Sequence, residues 1–487
     1  MMNKKFEDVI AEQGRLVYTH VGDSMLPTIR GRDLLVIETV KEPLKVGDVP
    51  LYKRDSGQYV LHRIVAVSRG LYALKGDNRT DVETGITDKH IIGVLTGIIR
   101  NGKILPVETP QDHAARVAKD LIYLVSCAVN EEIPEKERVR NMDLPYIYRL
   151  ACDHMLTAAV SFALEQIIPL PRAFDQAKKK AIRKLALFEI ERALLAREFE
   201  KAQIWYMPLK GVLLRKDYPK SAMREMTDND ILVDSSRMND VRTIMERFSY
   251  TCDSFDERHH DIYSKPPSIE FEIHRTLFDD NESTVFTEYY ADMRSRLRQD
   301  GFVCRFTDED FYIYMLCHTY KHFVEAGSGL RSLLDVYVFL RAHPGLDRAY
   351  TDAELQKLQI SDFEKNMCSL SQRLFTGTPL SPREEHELQY WISSGSKGTA
   401  DNLEYSHMLH LLGNDDSPSA KRRFLKSRIL ISGEALEKHY SFFARHKALY
   451  PVLLLYRPIK GVVTHPKGIW MEYKKVKSFK KRKNYEK

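Results

Sequence analysis

The apolar positions follow different spacings in successive parts of the chain. From about residue 15 to 107 they form short alternating runs, such as Leu34-Leu35-Val36-Ile37, Tyr59-Val60-Leu61 and Ile91-Ile92-Gly93-Val94-Leu95. Turn signals separate these runs, among them Gly31-Arg32-Asp33, Gly47-Asp48 and Asn101-Gly102, which predicts a β-rich domain over residues 1–107. From 108 to 207 the spacing is helical, with segments expected over Ala114 to Val129, Leu144 to Glu165 and Phe174 to Gln203. In the second, Leu150, Met155, Ala158 and Phe162 recur at helical intervals; Pro169 and Pro171 end it. In the third, Ile182, Leu185, Phe188, Leu195 and Phe199 share one side. Short strand-like runs over 204–300 predict an α/β core, and 301–473 reads as a helical bundle followed by a tail at 474–487. The expected class is multidomain α+β: a β-rich N-terminal domain, then an α/β core flanked by helical regions.

The chemistry concentrates at Thr227-Asp228-Asn229-Asp230-Ile231-Leu232-Val233. Residues two apart on a strand point to one face, so Asp228 and Asp230 would stand side by side while Ile231 and Val233 turn into the core. Two close carboxylates repel unless a cation neutralises them, and magnesium suits an all-oxygen site shared with phosphates. Ser268-Ile269-Glu270-Phe271-Glu272-Ile273-His274 offers a further acid on a later strand, with Phe271 and Ile273 inward and Glu270, Glu272 and His274 on the other face. Upstream, Leu209-Lys210-Gly211 sits at an expected strand-to-helix turn, where glycine permits close backbone approach and lysine supplies charge for a triphosphate.

These residues resemble the DNA polymerase β-like nucleotidyltransferase superfamily, and more closely the bacterial uncharacterised nucleotidyltransferase family. The resemblance rests on Leu209-Lys210-Gly211, Tyr218-Pro219, the block from Arg224 to Val233, and Glu272-Ile273-His274. It extends through Leu316 to His322 and Ser332 to Val336, over most of 112–470. It implies transfer of a nucleotidyl group from a nucleoside triphosphate with Mg2+ or Mn2+. Asp228, Asp230 and Glu272 would be metal ligands, and Lys210, Gly211 and Arg224 would contact the nucleotide. Lys-Gly replaces the superfamily's usual Gly-Ser at the turn.

The N-terminal region carries a second constellation. Ser24, His62 and an aspartate, either Asp77 or Asp81, could act as nucleophile, base and orienter. The boxes Ser24-Met25-Leu26-Pro27-Thr28 and Gly76-Asp77-Asn78, with the run bearing His62 between them, resemble the signal peptidase I family. His62 stands where typical bacterial members have lysine, as in the Ser-His-Asp branch. The resemblance implies peptide-bond cleavage, with the Ser24 N–H binding the oxyanion. Gly22 replaces a hydroxyl residue that assists this in many members, and no membrane anchor is expected.

Composition narrows the partners. No run of about 18 apolar residues occurs, so no membrane-spanning helix is expected, and Met1 to Asp8 lacks the apolar core of a secretory signal. Six scattered cysteines without CxxC spacing predict reduced thiols, a cytoplasmic protein and no cysteine zinc cluster. The net charge is +6, while Lys474 to Lys487 alone holds eight Lys or Arg against Glu486, a difference of 8 − 1 = +7. Such a tail can touch nucleic acid or simply be solvated. His318 and His322 lie four apart on one helical face, a zinc spacing without a third ligand in sequence, and the expectation is a helix packed near the catalytic cleft. Asp335 is expected to pair with Lys321 or Arg331, and Tyr440-Ser441-Phe442-Phe443 to be core.

The combined expectation is a soluble peptidase-like module fused to a magnesium-dependent nucleotidyltransferase, acting on a peptide or protein. Alternatives are a regulatory or binding protein with vestigial centres, and a toxin-like transferase that modifies RNA through its basic tail.

Overall fold

The computed structural model describes residues 5–19, 21–100, 102–256, 259–279, 283–396, 398–399, 445–446, 449–450 and 452–454. The basic tail and the Tyr440–Phe443 stretch lie outside the described residues. The chain divides into two compact units, one of residues 1–121 with 142–147, the other of 122–141 with 148–487. Among the described residues no helix is long and apolar enough to cross a membrane. All six cysteines are free thiols.

The first unit is built on two antiparallel sheets. In the larger, strands run in the order Arg15–Thr19, Leu34–Glu38, Ile91–Arg100, Pro50–Lys53, Tyr59–Leu61, with Lys103–Leu105 also on Ile91–Arg100. The smaller contains Arg63–Ser68, Leu71–Lys75 and Glu83–Ile86. The alternation read from sequence fills two cores, one of Met25, Ile29, Leu35, Ile37, Leu51 and Leu61, the other of Tyr52, Ile64, Tyr72 and Leu74. The expected continuous strand through His62 is broken there: His62 lies between Tyr59–Leu61 and Arg63–Ser68, which belong to different sheets.

The second unit centres on a seven-stranded mixed sheet. Its order is Thr251–Ser254, His260–Lys265, Ile269–His274, Asn229–Val233, Tyr206–Pro208, Val303–Arg305, Arg298–Asp300. Asn229–Val233 and Ile269–His274 run parallel, as do Tyr206–Pro208 and Val303–Arg305; the other pairs are antiparallel. Ile231, Val233, Phe271 and Ile273 pack against Phe188, Leu195 and Phe199 of the 30-residue helix Arg172–Lys201 and against Val241, Ile244 and Met245 of Met238–Arg247. That apolar layer covers one side of the sheet and leaves the other for polar chemistry.

Two helical expectations change. Leu144 to Glu165 is not one helix but two, Leu144–Asp153 and Thr157–Leu164, parted where Met155 takes φ 54°. The buried His154 at this break accepts a hydrogen bond from Leu330 N–H on Nδ1 (3.1 Å). Ile182, expected on the buried stripe of the long helix, is exposed.

Candidate active site

The site is assembled by strand register. In the parallel pair, Asp230 stands opposite Glu272, and Asn229 opposite Phe271. Alternation brings Asp228 and Glu270, two residues earlier, to the same face. Asp228 falls just before the strand, which begins at Asn229, rather than within it. The carboxylates of Asp228, Glu270 and Glu272 lie within 4.8 Å of one another, as do the ligand atoms of Asp230, Glu272 and His274. Glu272 belongs to both groups. The first is all oxygen, a donor set that fits Mg2+ or Mn2+. Crowding pushes the Glu270 carboxyl up, through burial and then the charges of Asp228 and Glu272.

Lys210 closes the group from the neighbouring turn. Its Nζ donates to Asp230 Oδ1 at 2.6 Å and lies 3.7 Å from Glu272 Oε2. Burial would lower its pKa, but the negative charges around it hold the ammonium above its ordinary value. Burial likewise opposes ionisation of Glu272, yet the hydrogen bond from His274 and the charge of Lys210 bring that carboxyl down to about 2. Leu209 N–H donates to the Asp230 carbonyl (3.0 Å), which fastens the turn to the strand. Lys210 sits at φ 49°, ψ −123°, a conformation that favours glycine. The helix expected after it is a single turn, Gly211–Leu214, too short to offer a helix terminus for binding an anion.

Gly211 and Arg224 have a packing relationship. A Cβ on Gly211 would collide with the Arg224 guanidinium. Arg224 is held by Asp335 in a two-pronged ion pair (2.8 and 2.9 Å), and Tyr218 O–H donates to the same carboxylate (2.7 Å). Thus Asp335 pairs with Arg224 rather than with Lys321 or Arg331. The guanidinium expected to bind nucleotide lies on the cavity wall, against the Lys210-Gly211 turn.

A cavity of about 910 Å³ opens over these groups. Its wall also carries His259, His260, His318, Lys321, His322 and Arg331. His318 and His322 face each other, Nε2 to Nε2, at 3.2 Å. Of these, His259 and His260 drew no attention in sequence, and His274 was placed on the polar face without a role. The available signal was cross-strand: His260 stands opposite His274.

In the first unit, Ser24 and His62 converge on Gly76. A Cβ there would lie 2.7 Å from the Ser24 carbonyl oxygen and 3.1 Å from His62 Nε2. Asn78 N–H donates to that carbonyl (2.8 Å) and its side-chain amide to the Asp23 carbonyl (3.1 Å). Asp77 is taken up elsewhere: Arg63 grips it twice at 2.8 Å and Thr28 O–H donates to it at 2.5 Å. Asp81 is exposed. On its Nδ1 side His62 instead meets Tyr52 Oη at 3.3 Å and Glu83 Oε2 at 4.0 Å, and Tyr52 donates to Glu83 at 2.7 Å. Burial lowers the His62 pKa, with the Glu83 charge opposing it. Glu83 lies outside the expected Gly76-Asp77-Asn78 box, and it reaches His62 only because Glu83–Ile86 pairs with Leu71–Lys75.

Comparison with known proteins bears on the second unit. No curated protein and no solved structure matched the chain. The match begins and ends inside the expected span of 112–470: residues 141–376 fit the model of a family described as an uncharacterised nucleotidyltransferase, and Lys210, Asp228, Asp230, Glu270 and Glu272 all lie in that stretch.

Proposed function

We propose that the domain at 141–376 transfers a nucleotidyl group from a nucleoside triphosphate to an acceptor on a peptide or protein. The observation that carries this is the parallel register that sets Asp230 against Glu272 and brings Asp228 and Glu270 to the same face. Asp228, Asp230 and Glu272 would hold Mg2+ or Mn2+, with Glu270 completing the oxygen set; the ion supplies charge neutralisation for the polyphosphate and its leaving group. Lys210 offers an ammonium to the same phosphates, beside the carboxylates that keep it protonated. Lys321 and Arg331 add positive charge on the cavity wall. His274, hydrogen-bonded to Asp230 at 3.0 Å, orients that carboxylate. The cavity volume suits a nucleotide and part of an acceptor.

The test is incubation with each α-labelled nucleoside triphosphate and Mg2+, beside an Asp228→Ala/Asp230→Ala variant of matched melting temperature. Label incorporation or pyrophosphate release abolished in the variant supports the reading. Absence of metal-dependent nucleotide binding in the wild type would overturn it.

A second activity is favoured by one observation, the convergence of Ser24 and His62 on Gly76. In that reading the first unit is a serine peptidase in which His62 takes the Ser24 proton and Glu83, rather than Asp77 or Asp81, faces the imidazole. Such a pairing suits successive modification and trimming of one polypeptide in the cytoplasm.

A further inference from the structure

The cavity wall bears three clustered imidazoles, of which only His274 has a part in the reaction proposed above, as the donor to Asp230. His260 opens the strand antiparallel to Ile269–His274 and stands directly opposite His274; His259 precedes it, its carbonyl accepting from Arg275 N–H at 2.9 Å. The rings lie close together, edge-on or tilted, with centroids 4.5 Å apart for His259 and His260, 5.0 Å for His260 and His274, and 5.5 Å for His259 and His274. One nitrogen from each falls within 4.8 Å of the others. His260 Nδ1 and His259 Nε2 point at each other across 3.2 Å.

His274 supplies the decisive detail. It is 1% exposed, and its Nε2 faces the carboxylates, 3.0 Å from Asp230 and 3.5 Å from Glu272. A carboxylate accepts only, so Nε2 carries a proton and donates it toward the carboxylates. Nδ1 is buried and has no hydrogen-bond partner among the described residues. A histidine that donates one N–H to a carboxylate and leaves the other nitrogen bare is arranged as metal-ligating histidines are.

We propose that His259, His260 and His274 form a cation site of their own, for a divalent transition metal of the zinc class, beside the carboxylate site. Three imidazoles select zinc, cobalt, nickel or copper, whereas the oxygen set of Asp228, Glu270 and Glu272 selects magnesium or manganese. The two sites touch through His274, whose Nε2 meets Asp230 and Glu272. An ion on His274 fixes its tautomer, and with it the donor that orients Asp230. The site stands independently of the transferase reading, because metal occupancy can be read without turnover.

The test uses the full chain, freed of metal and titrated with Co2+ in the presence of excess Mg2+, following the visible absorption of imidazole-ligated cobalt. Competition with Zn2+ and elemental analysis give affinity and stoichiometry. One equivalent should bind and resist Mg2+. His259→Ala/His260→Ala, whose side chains are only half-buried, should keep the wild-type melting temperature without metal and lose affinity at least about 100-fold. Asp228→Ala should retain the cobalt spectrum. The proposal is overturned if no stoichiometric ion binds, if Mg2+ displaces it, or if the folded double variant binds equally well.

Discussion

Gly211 lies against the guanidinium of Arg224 too closely to admit a Cβ, and Asp335 holds that guanidinium in place. A buried ion pair therefore sets the position of the turn that presents Lys210. Removing one partner of such a pair leaves the other charge uncompensated, at a cost of about 3–5 kcal/mol. Asp335→Ala should lose that much stability in urea denaturation. Gly211→Ala should displace the arginine and lower nucleotide transfer as well. An Asp335→Ala loss below about 1 kcal/mol would mean that Arg224 is not held in this way.

Lys210 separates backbone strain from charge. At φ 49°, ψ −123° a glycine is more comfortable than any residue with a Cβ. Lys210→Gly and Lys210→Ala both delete the ammonium and should both abolish transfer. The glycine variant should be more stable than the alanine variant by about 1–2 kcal/mol. Equal thermal and chemical stability of the two would show that the turn relaxes around alanine.

Acid should weaken the second unit through His154. Burial pushes this imidazole down to about 4, and its Nδ1 must stay unprotonated to accept from Leu330 N–H. The unfolded chain binds the proton more readily than the fold does. The contribution is therefore complete above about pH 6.5 and is lost as pH falls toward 4, by up to about 3 kcal/mol. His154→Asn, which keeps an acceptor, should show a correspondingly shallower fall in unfolding free energy between pH 7 and 4.5. His113 and His322, also pushed down to about 4, contribute to both proteins and cancel in the difference.

The Ser24–His62 pair can be probed with a fluorophosphonate. Ser24 should label, Ser24→Ala should not, and His62→Ala should slow labelling by about 100-fold or more. Because burial lowers the His62 pKa, the rate should fall at more acidic pH than it would for a free imidazole. Labelling of Ser24 that ignores His62 would remove the base from this reading.

What could be read from sequence was local. Asp228, Asp230 and Glu272 stood out because alternation on a strand is a property of neighbouring residues, and the same alternation sent Phe271 and Ile273 inward. The pairing of Arg224 with Asp335 was not legible, because the two lie 111 residues apart and no local pattern encodes how the helix bearing Asp335 docks. Glu83 and the His259–His260 pair escaped for a similar reason, since their chemistry appears only when one strand pairs with another. At the break between the two helices, His154 is bonded to Leu330, 176 residues on. Helical spacing alone runs straight through it.

The parallel pairing of Asn229–Val233 with Ile269–His274 has one more consequence. Every residue of the first strand is buried, so a slip of one position would turn Ile231 and Val233 out of the core and carry Asp230 away from the polar face. Folding and assembly of the carboxylates are thus a single event, and the native core proofreads the site. A chain whose register slipped there should therefore fail to fold, rather than fold with Asp230 and Glu272 out of step.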